Sequence, residues 1–369
     1  FAECPLRYYL RYGVDLKERE EFTFSPVNFG VVLHAVIREV CDEIKKNGES
    51  YYLISDEKRR EMVKRSVAAI TDIYQNSILK DSSRNSFMIK RMEDLADRTV
   101  WAMGEQLKCG DFVPFVFEHK FNMEVGDGDR KQLMSGTIDR VDICENGTDV
   151  YVRIIDYKTG KKDFNIVKTY YGIDIQLMVY MEAAMKLVAK MRPGKNVIPA
   201  GVFYYNISDP IVSATTESAE EIEDKIKGEL RLKGMVNSDK DIAEKMDNTE
   251  GTSLNIPVSR KADGGFDSRR SKVMNTEQFN ILGRFVDVRS IDTADRIAGG
   301  DIRRSPYKDG QFSSCDRCPY GAVCGFSVDL PGCNYRKLKK FDDEVLWNNI
   351  KEGVDENGKK MDTGAEECD

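Results

Sequence analysis

Two short stretches hold the residues best suited to chemistry, "GTIDRVD" with Asp139 and "IIDYKTG" with Asp156 and, two positions on, Lys158. On an extended strand residues two apart share a face ~6–7 Å apart, so Asp156 and Lys158 converge on one place. Asp139 joins them if the intervening "ENGTD" closes a hairpin. Neighbouring carboxylates suit a hard divalent ion such as Mg2+, with Mn2+ as a substitute. Such an ion takes oxygen ligands, keeps waters, and can orient an attacking water and neutralise charge on a phosphodiester. Lys158 is then placed to polarise that water or to stabilise charge building on the phosphorus. The backbone carbonyl of Tyr157, whose side chain points away, offers a further oxygen, Glu118 on the preceding strand a further carboxylate, and His34 a nitrogen. Gln176 and Tyr180 stand four apart on a helical stretch and share a face from which they could orient Lys158 or a phosphate. Two acids and a lysine buried on adjacent strands are unfavourable unless they meet one another or an ion.

A second constellation is "SSCDRCPYGAVCGFS", a C-x2-C-x5-C run of Cys315, Cys318 and Cys324 among nine cysteines. Three soft ligands so close together ask for a fourth. Thiolates suit zinc or an iron–sulfur cluster, and the spacing alone chooses neither of these nor excludes plain structural thiols. An odd count, in a chain with no secretory signal, reads as free thiols and metal ligands and not as a disulfide framework.

The elements that must position these groups follow from periodicity. Residues 24–46 repeat apolar side chains at helical spacing (Phe29, Leu33, Val36, Val40, Ile44) and predict an amphipathic helix containing His34. The stretch 56–109 predicts a helix or helix pair interrupted at 81–86. After Pro114, "FVFEHKFNMEV", "LMSGTIDRVDIC" and "DVYVRIIDYKT" alternate, separated by "GDGD" and "ENGTD", and predict a three-stranded meander. A helix over 170–190, a strand over 197–208, and helices over 217–233 and 275–298 follow, with an exposed excursion at 247–272 and an acidic, Gly-rich end beyond 341 whose last dozen residues are expected to fray. Helices, three strands, a helix and another strand make an α/β domain.

The 369 residues suffice for a substantial core. The opening "FAECPLRYYL", without an initiator methionine, points to a piece of a longer protein. No 18-residue apolar run and no signal sequence is present, so a membrane role is not expected and a cytoplasmic location is the simplest. A net charge of -7 argues against indiscriminate nucleic-acid binding. A local groove can still be basic, and Arg269, Arg270 and Lys272, Arg303 and Arg304, and "YRKLKK" at 335–340 are bunched. No GxxxxGK[ST] loop appears, so ATP hydrolysis by this chain is not expected.

Taken together, His34, "GTIDRVD", "DYKTG" and the Gln176–Tyr180 "QLxxY" pattern resemble, in order, the motifs of the PD-(D/E)xK nucleases in their RecB-like form. They are most similar to the carboxy-terminal nuclease region of the AddB family of bacterial helicase-nuclease subunits. The resemblance spans residues 1 to about 340 and is weakest over 209–300. It implies a restriction-endonuclease-like core with a central mixed sheet flanked by helices. It also implies a Mg2+-dependent DNA nuclease acting on a single strand as duplex DNA is unwound in double-strand break repair, beside an AddA-like helicase-nuclease partner. Asp139, Asp156, Lys158, Gln176 and Tyr180 would be catalytic, with His34, Asp139, Asp156 and Tyr157 around the metal. The family also supplies the fourth thiol: Cys4, with Cys315, Cys318 and Cys324, would hold a [4Fe-4S] cluster stapling the two ends. Cys333 is the chief rival, while Cys41, Cys109, Cys144 and Cys368 read as helix, strand and tail residues. The implied organisation is an N-terminal cysteine segment (1–28), the nuclease core (29–208), a helical and irregular extension (209–300), a cluster-binding segment (301–340) and an acidic tail (341–369). Tyr8, Tyr9, Tyr170 and Tyr171 are stacking candidates for bases. A stand-alone CRISPR-associated RecB-like exonuclease and an inactive DNA-binding or partner-binding scaffold are the competing readings.

Overall fold

The computed structural model describes residues 1–17, 26–73, 83–125, 131–213 and 218–355. The "GDGD" turn and Cys368 lie outside the described residues. A short helix α1 (Pro5–Tyr8) runs into a π-helical turn (Tyr9–Gly13); then come α2 (Pro26–Lys46), α3 (Asp56–Ile73) and α4 (Ser83–Lys108). The meander follows as β1 (Val113–Val125), β2 (Gln132–Asn146) and β3 (Asp149–Lys158). Helices α5 (Ile166–Tyr170) and α6 (Gln176–Met191) lead into β4 (Asn196–Asn206). After α7 (Ala219–Glu229) come β5 (Lys233–Asn237), α8 (Lys240–Met246), β6 (Val273–Met274) and the long α9 (Thr276–Ala298). The chain closes with β7 (Tyr307–Asp309), β8 (Phe312–Ser313), α10 (Gly321–Cys324), β9 (Arg336–Lys337) and α11 (Asp343–Asp355).

The main sheet is mixed, with strands in sequence order β1 to β6. β1, β2 and β3 pair antiparallel; β3 and β4 are parallel, joined by α5 and α6 in a βαβ crossover. The β2–β3 turn has only two residues, and Gly147 occupies it at φ 60°, a conformation a side chain would strain. Each face of the sheet has its own apolar core. One lies under α2, α3 and α4 and includes Leu33, Val36, Val40, Ile44, Tyr157 and Phe203. The other lies under α6, α9 and α11 and includes Leu177, Ala184, Val202, Phe285 and Ile350.

Several boundaries differ from expectation. The helix predicted over 170–190 begins only at Gln176; the chain before it forms the separate short α5, and Gly172 turns between the two at φ 73°. The helix predicted over 217–233 stops at Glu229, and residues from Lys233 form strand β5. Gly234 makes that possible: a Cβ there would sit 1.9 Å from the Val202 carbonyl. The stretch 209–300 therefore contributes two strands to the main sheet. The excursion at 247–272 is not simply exposed: Asp247, Ser253, Ile256 and Val258 are fully or almost fully buried. Asp247 accepts hydrogen bonds from Ser253 Oγ (2.7 Å) and Asn255 Nδ2 (3.1 Å), and these tie the loop down. Within the acidic end, α11 forms because Leu346 and Ile350, one turn apart, bury against α9.

The two ends of the chain meet. Leu6 N–H donates to the Arg303 carbonyl (3.2 Å), Arg336 Nη2 to the Ala2 carbonyl (2.6 Å) and Tyr320 Oη to the Leu16 carbonyl (2.9 Å). The small sheet β8-β7-β9 carries this C-terminal bracket.

Candidate active site

The buried stripe of α2 (Leu33, Val36, Ile37, Val40, Ile44) fixes that helix against the sheet, leaving His34 at the stripe's edge beside the meander. There His34 Nδ1 lies 3.5 Å from a carboxylate oxygen of Glu118 and 3.5 Å from one of Asp139. The donor atoms of the three residues all lie within 4.8 Å of one another. Burial alone would lower the histidine, but its hydrogen bonds to Asp139 and Glu118 and their charge outweigh that and raise its pKa to about 10.

The strands are irregular at this point. Glu118, inside β1, has φ 46°, a left-handed conformation costing a non-glycine residue about 1–3 kcal/mol. The pairing Phe117–Arg140 and His119–Ile138 continues on either side of it. Yet Val116 and Phe121, an odd step apart, enter the same core, as do Ile138 and Val141 on β2. The alternation of both strands thus changes phase at Glu118 and Asp139, and the side chains that break the pattern are the acids facing His34.

Asp139 is anchored by its other oxygen, Oδ2, which accepts the Tyr157 backbone N–H at 2.7 Å. The Tyr157 ring sits in the core under α2 and meets the imidazole edge-on at 5.9 Å. Next along β3, Asp156 is almost fully buried, and the Lys158 ammonium rests directly against it. Desolvation and the Asp139 charge raise Asp156 to about 6 against the opposing pull of Lys158. Lys158 also lies 5.6 Å from the centre of the Tyr204 ring, and Lys162 lies 5.4 Å from the same ring. Tyr204 donates to Asp174 (2.7 Å), which pairs with Lys162 (3.3 Å). On α6, Gln176 Nε2 donates to Tyr180 Oη (2.9 Å), and the Tyr180 ring packs edge-on against Phe121. Gly136 of "GTIDRVD" accommodates that pair: a Cβ would stand 2.9 Å from Phe121 and 3.3 Å from Tyr180.

The site residues read from sequence are thus brought together, with one shift of emphasis. Glu118, expected as an accessory, stands in the converging triad, while Asp156 stands beside it, engaged by Lys158. A cleft of about 460 Å³ opens over them, lined by α2 residues including Val31, His34 and Arg38 and by Lys158 and Thr159. Sequence reasoning missed Arg140, Asp142 and Arg153, all buried, on the opposite face of β2 and β3. Their signal was present as charged residues in otherwise apolar strands.

Cys4, Cys315, Cys318 and Cys324 line one small cavity at the junction of the two ends, with Leu6, Leu10 and Phe326. Burial raises the Cys315 and Cys324 thiols, and each also feels the charge of Cys4 and Cys318. Cys333 is buried outside that cavity. Of the stacking candidates, Tyr170 stacks on Phe285 and Tyr171 is buried beside Phe341, so both serve internal packing; Tyr9 is exposed and Tyr8 meets Phe1 and Tyr12.

This acidic cluster at a phase break in a mixed sheet, with Asp156 and Lys158 on the adjoining strand, belongs to a known class: the sequence model of the PD-(D/E)XK nuclease superfamily matches residues 1–325, and the chain is a member of that superfamily. More particularly, it is 35% identical over 380 residues to the B subunit of the ATP-dependent helicase/deoxyribonuclease of Caldanaerobacter subterraneus subsp. tengcongensis. It is 33% identical over 373 residues to the corresponding protein of Thermoanaerobacter sp. (strain X514) and 34% over 368 to that of Clostridium acetobutylicum. These alignments take in 100%, 98% and 97% of this chain and 32% of each relative, so the chain spans about a third of the length of the curated relatives it matches.

Proposed function

We propose that this chain is the nuclease portion of an ATP-dependent helicase-nuclease subunit, hydrolysing phosphodiesters of single-stranded DNA during end resection in double-strand break repair. The observation that carries this is the convergence of His34, Glu118 and Asp139 within 4.8 Å beside the buried Asp156–Lys158 pair. The mixed nitrogen and oxygen donors fit a divalent cation of the Mg2+ or Mn2+ kind, held by His34, Glu118 and Asp139, with Asp156 and the Tyr157 carbonyl as further oxygens. When bound it supplies a Lewis acid that neutralises phosphate charge and lowers the pKa of a bound water. The chain's own groups do the rest. Asp139, fixed through the Tyr157 amide, keeps one oxygen facing His34. Lys158, 29% exposed, rises from buried Asp156 into the cleft, where its ammonium can donate to a phosphate oxygen. Gln176 and Tyr180, joined by a hydrogen bond, pack beside Phe121.

For the cysteine cavity the proposed occupant is a [4Fe-4S] cluster. The four thiols line one small cavity and suit either zinc or iron and sulfide; the order of one cysteine before the nuclease core and three after it, as in the family resembled, favours the cluster. Its role would be to staple the ends, since hydrolysis needs no redox step. The relatives are B subunits of a helicase/deoxyribonuclease, which supports a partner subunit; the one proposed is a helicase-nuclease of the AddA kind, and the proposed location is cytoplasmic. Among the described residues no helix is long and apolar enough to cross a membrane.

Cleavage of an end-labelled single strand in Mg2+ or Mn2+, lost on Asp156→Ala with DNA binding retained, is the expected result. Binding without cleavage by the wild-type chain under any metal, alone or with its partner, would favour the scaffold reading. An anaerobic preparation is expected to hold about four irons and four sulfides per chain, in keeping with a four-thiolate cluster. The iron should fall on Cys4→Ala; one zinc would overturn the cluster and leave the nuclease reading standing.

A further inference from the structure

The cleft above the acids has a floor and one long wall, and the wall is α2. His34 and Arg38 stand one turn apart on it, ~6 Å along the helix axis, and both line the cleft with Val31. The acids are recessed: Asp139 and Asp156 are 8% and 1% exposed, behind the His34, Glu118 and Lys158 side chains that line the cleft beside α2.

Arg38 is exposed, and no hydrogen bond or ion pair to it is made among the described residues, although Asp42 stands one turn further on. Other arginines on this side of the molecule are engaged. Arg59 holds Asp97 and Asp56, Arg65 holds Glu43, and Arg98 meets Asp209. A guanidinium left unpaired at the lip of an acidic cleft is suited to an anion that offers two oxygens to its planar fork, as a phosphodiester does.

We propose that Arg38 binds the phosphate next to the scissile one, so that α2 is the rail along which the substrate strand runs. The inference rests on the nuclease reading of the site. Because the cleft wall offers a guanidinium and apolar contacts but no array of base-reading amides, the grip is on the backbone and independent of sequence.

The test is fluorescence anisotropy of a labelled oligothymidylate with the whole chain in EDTA, over a range of KCl, for the wild type, Arg38→Ala, Arg38→Lys and, as a charge control on the same helix, Lys46→Ala. Arg38→Ala should weaken binding about tenfold and flatten the log–log salt dependence by about 0.7, the value of one lost single-strand phosphate contact. An oligodeoxyadenylate should show the same loss. Arg38→Lys should keep the slope, and Lys46→Ala should leave both quantities at wild-type values. In Mg2+ or Mn2+, Arg38→Ala should raise KM more than it lowers kcat. If the wild type binds or cuts and Arg38→Ala matches it in affinity and slope, or if Lys46→Ala loses as much, the inference fails and the nuclease reading stands. If the wild type neither binds nor cuts a strand, with its partner or alone, the nuclease reading itself fails and takes this inference with it.

Discussion

Strands β2 and β3 carry ionisable side chains on both faces, and the motif "GTIDRVD" feeds both sets. Toward α6 stand Asp139, Asp156 and Lys158, joined by Glu118 and His34; toward α4 stand Arg140, Asp142 and Arg153. The second set is closed. Asp142 receives Arg140 at 2.7 and 2.6 Å and Arg153, its direct partner across the strands, at 2.9 Å. Burial would raise Asp142, but the two guanidiniums hold it below the usual carboxylate range. Arg153 further lies 4.8 Å over the Phe112 ring. The first set is open: three acids face one lysine and one histidine, and a cleft lined by Glu118, His34 and Lys158 reaches the cluster. Cations in excess and sealed from water mark a structural cluster; acids in excess beside a cleft form a group that could hold a cation.

The comparison breaks most readily at Asp142. Asp142→Ala would leave two buried guanidiniums without their anion and should cost ~3–5 kcal/mol, read as a fall in the urea midpoint or loss of soluble chain. Arg153→Met leaves a one-to-one pair and should cost far less. Equal losses from both variants would mean that the cluster is not held by charge balance.

In the cleft the sign reverses. A carboxyl whose folded pKa, about 6 for Asp156, exceeds its ordinary 3.8 contributes stability that is full below 3.8 and is lost as pH rises through 6. The ionised acid is therefore a burden on the metal-free fold at neutral pH. Asp156→Asn removes the charge that would hold the cation and should lose cleavage by roughly 1,000-fold, the scale of losing one electrostatic contact to a transition state. The same variant should melt a few degrees above the wild type at about pH 8 in EDTA, and the gap should close toward pH 4. A variant that melts lower at every pH would place Asp156 with the structural acids.

How much of this was legible in the sequence follows the same division. Asp139, Asp156 and Lys158 could be read because hairpin and strand geometry is local, and short spacing fixes which side chains meet. Glu118's place in the triad could not, because it depends on a left-handed residue and a phase change in two strands that otherwise alternate. Arg140 and Arg153 sit where simple alternation would put apolar side chains, and only the register pairing Asp142 with Arg153 shows why they are tolerated. Strand β5 was hidden by an apolar and basic run that also suits a helix, and was decided by Gly234 lying against the Val202 carbonyl. The meeting of Cys4 with Cys315, Cys318 and Cys324, some three hundred residues apart, was available only through family resemblance, since no local rule reaches that far.

A smaller effect tests the packing of Tyr180 against β1 and β2. Gly136→Ala would push a methyl to 2.9 Å from Phe121 and 3.3 Å from Tyr180. Overpacking of this kind costs ~1–3 kcal/mol, and here it would also move Tyr180 away from Gln176. Thermal melting should fall modestly and kcat more than KM should suffer. If melting falls while kcat holds, Tyr180 is a packing residue and the chemical set ends at Lys158.

The smallest effect sharpens the rule about acids in excess. Glu182 on α6 and Asp287 on α9 face each other across the two helices, and Lys186 lies 2.5 Å from Glu182. Burial first, then Glu182, raises Asp287 to about 8. Here too acids outnumber cations, but the pair lies in a helix–helix contact and not among the residues lining the cleft. It should therefore tune stability and do no chemistry. With a folded pKa above the ordinary 3.8, its contribution is full at low pH and is lost as pH rises through 8. Asp287→Asn should match the wild type in melting at about pH 4, exceed it by a degree or two at about pH 9, and cut DNA at the wild-type rate. A loss of cleavage would show that α9 reaches the cleft through α6, and that an excess of acids marks function even where no cleft opens onto it.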